Sequence, residues 1–260
     1  MTRETGPLLE MRGITKHFGA ITALDQVDLQ LYSGEVLGVV GDNGAGKSTL
    51  MKVLSGLYSA SSGEVILDGR PVQLNSPRDA QGMGIEMVYQ DLALAGNLPV
   101  HENIYLGREP GRQHFGIKIV DRKLSRRLAQ EHLDRLHIEV KSVDQKVEEL
   151  SGGQAQAVAI ARATAFDARL VIMDEPTAAL AIKEVGKVLD LIKRLSDHGT
   201  GVILISHRMD DVFFVCDRVM ALFHGRNFEE SEISGTSRNE VIGWIMGTKG
   251  HTEGLAHDRL

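Results

Sequence analysis

The sequence predicts an α/β fold: a mostly parallel sheet covered by helices, with a smaller antiparallel β portion and a helical insert. Three observations predict it. Val36-Leu37-Gly38-Val39-Val40 is apolar on both faces, as a central parallel strand is. Two further strand-length apolar runs, Leu170–Met173 and Val202–Ile205, are each followed by helical sequence. Between them and the first run lies a stretch whose apolar spacing is helical rather than alternating.

Val27, Leu29 and Leu31 alternate with Asp28 and Gln30, which predicts a half-buried strand. Ser33-Gly34 turns the chain into the run at Val36. A glycine-rich loop follows, then a helix from about Lys47 to Gly56. Gly63 to Leu74 reads as a short hairpin with Asp68-Gly69 as its turn. From about Leu92 to Ala165 the strand runs fade. Leu124, Leu128, Leu133 and Leu136 share one face among many charges over Arg122–Leu136, and an Ala-rich helical run covers Ser151–Phe166. Residues 1–247 therefore read as one domain, with about 92–165 inserted into the α/β core as a mostly helical portion. Residues 248–260 read as a polar tail. The sequence shows no internal repeat and no low-complexity tract.

Composition narrows the function classes. The 260 residues carry 29 Lys and Arg against 35 Asp and Glu, a formal charge of −6, with 42% hydrophobic residues, so the chain has the makings of a large core and is not a disordered segment. An acidic chain lacks the broad positive field that grips a nucleic-acid backbone, so no nucleic-acid partner is expected. Cys216 is the one cysteine, which excludes an internal disulfide; its neighbours Phe213, Phe214, Val215 and Val219 predict a small buried hydrophobe. No stretch approaches the roughly 20 apolar residues that span a bilayer, and the N-terminus lacks the apolar core of a signal peptide. Work at a membrane would require another polypeptide to hold the chain there.

The residues that carry chemistry begin with Gly41-Asp42-Asn43-Gly44-Ala45-Gly46-Lys47-Ser48, followed by Thr49, which fit G-x-x-x-x-G-K-[ST] between a buried strand and a helix. Glycines let backbone N–H groups approach phosphate oxygens, and the helix N-terminus adds partial positive charge. Lys47 supplies a cation for the outer phosphates of ATP, and the Ser48 hydroxyl an oxygen for Mg²⁺. The dinucleotide spacing G-x-G-x-x-G is not met. Leu170–Met173 ends in Asp174-Glu175. Two adjacent carboxylates at a buried strand end are costly without a counter-charge. Mg²⁺ supplies one for Asp174, and Glu175 then serves as a base toward the attacking water.

Leu150-Ser151-Gly152-Gly153-Gln154 alone reads as an ordinary helix N-cap. Between the phosphate loop and the acidic strand end it does more: the combination resembles the ATP-binding cassette family, whose signature is LSGGQ. The resemblance runs from about Leu8 to Met246 and implies a P-loop NTPase core of cassette type that binds and hydrolyses ATP with Mg²⁺. It also implies that Phe18 stacks on adenine, where the residue alone reads as core. Gln90, in Val88-Tyr89-Gln90-Asp91, matches the glutamine that contacts metal and attacking water. Ser206-His207 matches the histidine near the γ-phosphate. Catalytic roles are thus expected at Glu175, His207 and Gln90, and metal contacts at Ser48, Gln90 and Asp174.

In this family the signature of one subunit completes the ATP site of another. The resemblance therefore implies a homodimer in which Ser151, Gly152, Gly153 and Gln154 act in trans. The stretches Gly41–Gly56, Glu102–Pro110 and Ala155–Ala163 look like the sugar-importer group of the ribose, xylose and fructose type. That likeness implies integral membrane permease partners, a periplasmic sugar-binding protein acting indirectly, and a place on the cytoplasmic face of a bacterial inner membrane. Leu92, Leu94 and Leu98 read equally well as permease-facing or as core. Two departures stand out: Ala155 where the group often has Gln or Arg, and Ala181 where many cassettes carry the Asp that helps couple the two sites. A soluble, non-transport cassette ATPase acting on nucleic acid or ribosomes is the alternative, and an exporter cassette a third reading. Neither the coiled coil, zinc cysteines or basic extensions of the former nor the fused membrane spans of the latter is seen.

Overall fold

The computed structural model describes residues 6–114 and 117–248, without the side chains of 112–118. The polar tail expected over 248–260 lies, beyond Thr248, outside the described residues. The chain opens with β1 (Leu9–Phe18), β2 (Ile21–Leu31), β3 (Val36–Val40), α1 (Lys47–Leu54), β4 (Ser62–Leu67), β5 (Arg70–Val72), α2 (Pro77–Gly82) and β6 (Ile85–Val88). It continues with α3 (Val100–Ile104), β7 (Gly111–His114), β8 (Ile117–Val120), α4 (Arg122–Arg135) and α5 (Gly152–Thr164). It closes with β9 (Leu170–Asp174), α6 (Ile182–Asp197), β10 (Gly201–Ile205), α7 (Met209–Val215), β11 (Arg218–Phe223), β12 (Arg226–Glu232) and α8 (Arg238–Ile245).

The central sheet runs β12-β11-β3-β10-β9-β6. All its pairings are parallel except β11 with β12 at the edge. A second, antiparallel sheet runs β2-β1-β4-β5, with the predicted Asp68-Gly69 turn between β4 and β5. The central strands are buried on both faces, and successive residues feed two different cores. Val36, Val171, Met173, Val202 and Leu204 point into the core built with α3 to α8. Leu37, Val39, Leu170, Ile172, Ile203 and Ile205 point into the core built with α1 and the antiparallel sheet. This explains the unbroken apolar runs: a strand covered on both sides has no polar face to show.

The stretch 92–165, expected to be mostly helical, holds α3, α4 and α5 and also a two-stranded hairpin, β7 with β8. Leu92 and Leu94 are half-buried against the helical-side core, and Leu98 is half-buried as well. Cys216 is buried, and burial pushes its thiol well up from the ordinary value. Among the described residues no helix is long and apolar enough to cross a membrane.

Candidate functional site

Four neighbouring strands, β3-β10-β9-β6, deliver their carboxyl ends to one edge of the central sheet. Register fixes the alignment: Val39 pairs with Ile205, and Ile205 with Asp174. The segments leaving these strands carry the phosphate loop, His207, Asp174-Glu175 and Gln90. Parallel α/β sheets bind ligands at this edge, because the chain leaves every strand there and helix N-termini point back at it.

The loop after β3 is shaped by glycine. Gly41 has φ +152, and a Cβ there would stand 2.4 Å from the Leu222 carbonyl oxygen. Gly46 has φ +104, and a Cβ would stand 2.8 Å from Leu24 Cδ2 and 2.9 Å from the Ala23 carbonyl oxygen. Gly46 is also the N-cap of α1, with no side-chain cap and no acidic residue in the first turn. The first N–H groups of α1 therefore meet no carboxylate or hydroxyl of their own helix, which leaves them to an incoming anion. Lys47 is buried, and its Nζ donates to the carbonyl oxygens of Gly41 at 2.6 Å and Asp42 at 3.0 Å. Burial lowers the Lys47 pKa, while Glu175 and Asp174 oppose that shift.

Asn43, Gly44, Ala45, Gly46, Lys47, Ser48, Thr49, Gln90, Asp174, Glu175 and His207 line one cavity of about 270 Å³, together with Ala23 and Ile205. Glu175 has φ +50, a left-handed conformation that few non-glycine residues adopt. Its amide donates to the Ile205 carbonyl oxygen at 2.9 Å, which locks the turn onto β10. The Glu175 Oε1 atom is buried and receives no hydrogen bond of normal geometry, although His207 Nε2 stands 3.3 Å away. Burial raises the pKa of Asp174 against the pull of Lys47, and that of Glu175 against the pull of His207. Both carboxyls therefore hold protons more tightly than ordinary carboxylates.

Gly41 and Asp42 form the base of the loop and contribute carbonyls to Lys47 rather than cavity wall. Phe18 lies away from this cavity and is 42% exposed, stacked edge-on against Tyr58 with ring centroids 5.3 Å apart. Lys16 Nζ stands 5.2 Å from the Phe18 centroid and 5.7 Å from that of Tyr58. Such exposure fits a ring offered to a ligand better than a core phenylalanine. Tyr58 escaped sequence reading because nothing in Gly56-Leu57-Tyr58 marks it as a neighbour of Phe18; the antiparallel sheet brings them together.

Ser151 to Gln154 belong elsewhere. Ser151 is the N-cap of α5: its Oγ accepts from the Gln154 amide at 3.3 Å, and its own amide donates to Gln154 Oε1 at 3.1 Å, a reciprocal capping box. Ser151, Gly153 and Gln154 border a second cavity of about 590 Å³ between α5 and α6. Gly153 is tight: a Cβ would stand 2.8 Å from Glu184 Cβ. Ala181 is the N-cap of α6 and provides no side-chain cap. Thr177, just before it, donates from Oγ1 to Asp211 Oδ2 at 2.5 Å and ties this turn to α7.

With this geometry in hand, comparison with known proteins identifies the family. The ABC transporter family model matches residues 24–178. The chain is 43% identical over 234 residues to the xylose/arabinose import ATP-binding protein XylG of Sulfolobus acidocaldarius, covering 90% of this chain and 92% of that one. It is 43% identical over 247 residues to the fructose import ATP-binding protein FrcA of Rhizobium meliloti, covering 94% and 95%. A solved dimeric ATP-binding cassette in a post-hydrolysis state, bound to ADP and Pi, superposes with a TM-score of 0.71 at 28% identity, covering 86% of this chain and 98% of that one. Phosphate loop, acidic strand end and capped signature helix thus sit on a matching fold and a matching sequence, and the chain belongs to the ABC transporter family.

Proposed function

We propose that this chain is the ATP-binding and ATP-hydrolysing subunit of an ABC importer that takes up a monosaccharide. The observation that carries the reading is the single cavity in which the Lys47 loop, Gln90, Asp174, Glu175 and His207 converge from four adjacent strand ends. ATP places its phosphates in the loop from Gly41 to Thr49, against the backbone N–H groups that open α1. Lys47 exchanges the carbonyls of Gly41 and Asp42 for the outer phosphates, and Phe18 stacks on the adenine. Gln90 and His207 orient the attacking water beside the γ-phosphate. Glu175, held at a raised pKa in a site partly shut off from water, takes the proton from that water.

Ser48, Gln90 and Asp174 suit Mg²⁺. All three offer oxygen, the donor this hard cation takes, and all line the same cavity. Among the described residues no group of three or more His, Cys, Asp or Glu side chains could hold a metal, so a Mg²⁺ here would share its shell with phosphate and water. When bound it neutralises phosphate charge.

The signature cavity is separate from the phosphate cavity of the same chain. That separation supports a homodimer in which Ser151, Gly152, Gly153 and Gln154 of each subunit close on the ATP of the other. The γ-phosphate is the contact that distinguishes the closed state from the open one. The permease docks on the segment from about Gln90 to Leu106 at the cytoplasmic face of the membrane, and a periplasmic sugar-binding protein delivers the substrate. The xylose/arabinose and fructose import relatives support the sugar class.

Deleting the gene tests this reading. Uptake of one monosaccharide should stop while translation proceeds normally. Unchanged uptake of xylose, arabinose, fructose and ribose, with impaired translation, would overturn it in favour of a non-transport ATPase.

A further inference from the structure

The loop that carries Gln90 is held by the helix that carries the signature. Arg162, in the last turn of α5, donates from Nη1 to the Ala93 carbonyl oxygen at 2.7 Å and from Nη2 to the Leu92 carbonyl oxygen at 2.7 Å. These carbonyls lie two and three residues past Gln90. Ala93 has φ +50, a conformation that persists in a non-glycine residue only when its surroundings enforce it. The guanidinium braces this backbone at the carbonyls on either side of it, with a planar fork that matches two adjacent acceptors as a flexible ammonium does not, while Asn103 holds Ala95 beyond it. Glu86, which attracts Arg162, is itself bonded to Arg108 at 2.9 Å.

The other end of the same helix begins at the signature. Ser151 caps α5, and Val158, Ala159, Ile160 and Ala161 pack its middle into the core. A 13-residue helix is about 20 Å of rigid rod. We propose that Arg162 is a positioning residue that couples the two ATP sites of the dimer. When the N-terminus of α5 engages the partner's phosphate, the helix shifts, and Arg162 carries the Gln90 loop with it into this chain's own site. The inference rests on the dimeric ATPase reading above and adds to it a defined route from one site to the other.

The test compares the full-length chain with its Arg162→Ala and Arg162→Lys variants. For the wild type a Hill coefficient for MgATP above 1 is expected. Arg162→Ala should bind a fluorescent ATP analogue within about twofold of wild type, lose kcat by about tenfold or more through misplacement of Gln90, and show a Hill coefficient near 1. Arg162→Lys, which retains the charge but has a single donor nitrogen instead of the planar fork, should recover part of kcat. Amide hydrogen exchange over 91–95 should quicken in both variants while the middle of α5 stays protected. Wild-type kcat and Hill coefficient in Arg162→Ala would overturn the proposal. So would a wild-type Hill coefficient of 1, or a kcat loss matched by an equal loss of nucleotide affinity and melting temperature in both variants. A wild-type chain without ATPase activity refutes the function reading instead; exchange over 91–95 then still decides the clamp, which falls if the variants exchange no faster.

Discussion

Glu175 Oε1 and His207 Nε2 stand 3.3 Å apart, one residue past the end of β9 and two past the end of β10. The strands are parallel neighbours, with Asp174 paired to Ile205, so their pairing alone brings the two side chains together. The left-handed backbone at Glu175 turns its carboxyl into the cavity, where burial keeps it from the hydrogen bonds it would find in water. We propose that this carboxyl serves as the base toward the attacking water; the neighbouring imidazole draws its raised pKa back down.

Replacing His207 with Ala removes the imidazole that stands 3.3 Å from that carboxyl. Steady-state assays should find kcat reduced by about 10²-fold, with ATP affinity within a few-fold of wild type. An unchanged kcat would separate His207 from the chemistry.

The raised pKa values of Asp174 and Glu175 fix the sign of a stability effect. Each carboxyl binds its proton more tightly in the folded chain than in the unfolded one. That contribution to stability is fully present below the unfolded carboxylate range and is lost as pH rises through the folded values. At neutral pH the two charges therefore weigh against the fold. Without nucleotide or divalent cation, Asp174→Asn and Glu175→Gln should melt above wild type at about pH 7.5 and converge with it near about pH 4. Thermal melts across pH check this; a lower melting temperature for both variants at neutral pH contradicts it.

Lys47 Nζ donates to the carbonyls of Gly41 and Asp42, which hold it at the mouth of the loop. Lys47→Ala should leave the loop standing, since its shape is set by the glycines at 41, 44 and 46. ATP affinity should fall by about 10- to 100-fold, the worth of one or two charge-assisted hydrogen bonds. Titration with a fluorescent nucleotide measures it, and wild-type affinity would rule out Lys47 as a phosphate ligand.

The parts of this molecule that announced themselves in the sequence are those where local chemistry and fold agree. The run at Val36, the loop to Ser48 and the helix from Lys47 follow from strand burial, positive φ and an uncapped helix start, all residue-level facts. The strands β1 and β12 were silent for physical reasons. Along β1 the period of two breaks at register shifts between Met11 and Ile14, with Gly13 at φ +58 between them. β12 is a sheet edge rich in Glu229, Glu230 and Glu232, whose charges guard the edge and mask the pattern. The hairpin β7–β8 carries no alternating apolar face in Gly111–His114, and so the segment read as part of a helical stretch. Gln90, His207 and the signature were legible only together, because each alone is an ordinary turn or cap. Arg162 was not legible at all: its acceptors are backbone carbonyls seventy residues earlier in the chain, and carbonyls leave no mark on a sequence.

The most direct test of the account is Glu175→Gln with saturating MgATP, read by light scattering and by phosphate release together. The amide keeps the shape of the side chain and removes its ability to accept a proton. The account predicts retained ATP binding, a stable dimer and turnover reduced by about 10²-fold or more. A variant that stays monomeric with ATP bound, or that hydrolyses ATP at the wild-type rate, would contradict it.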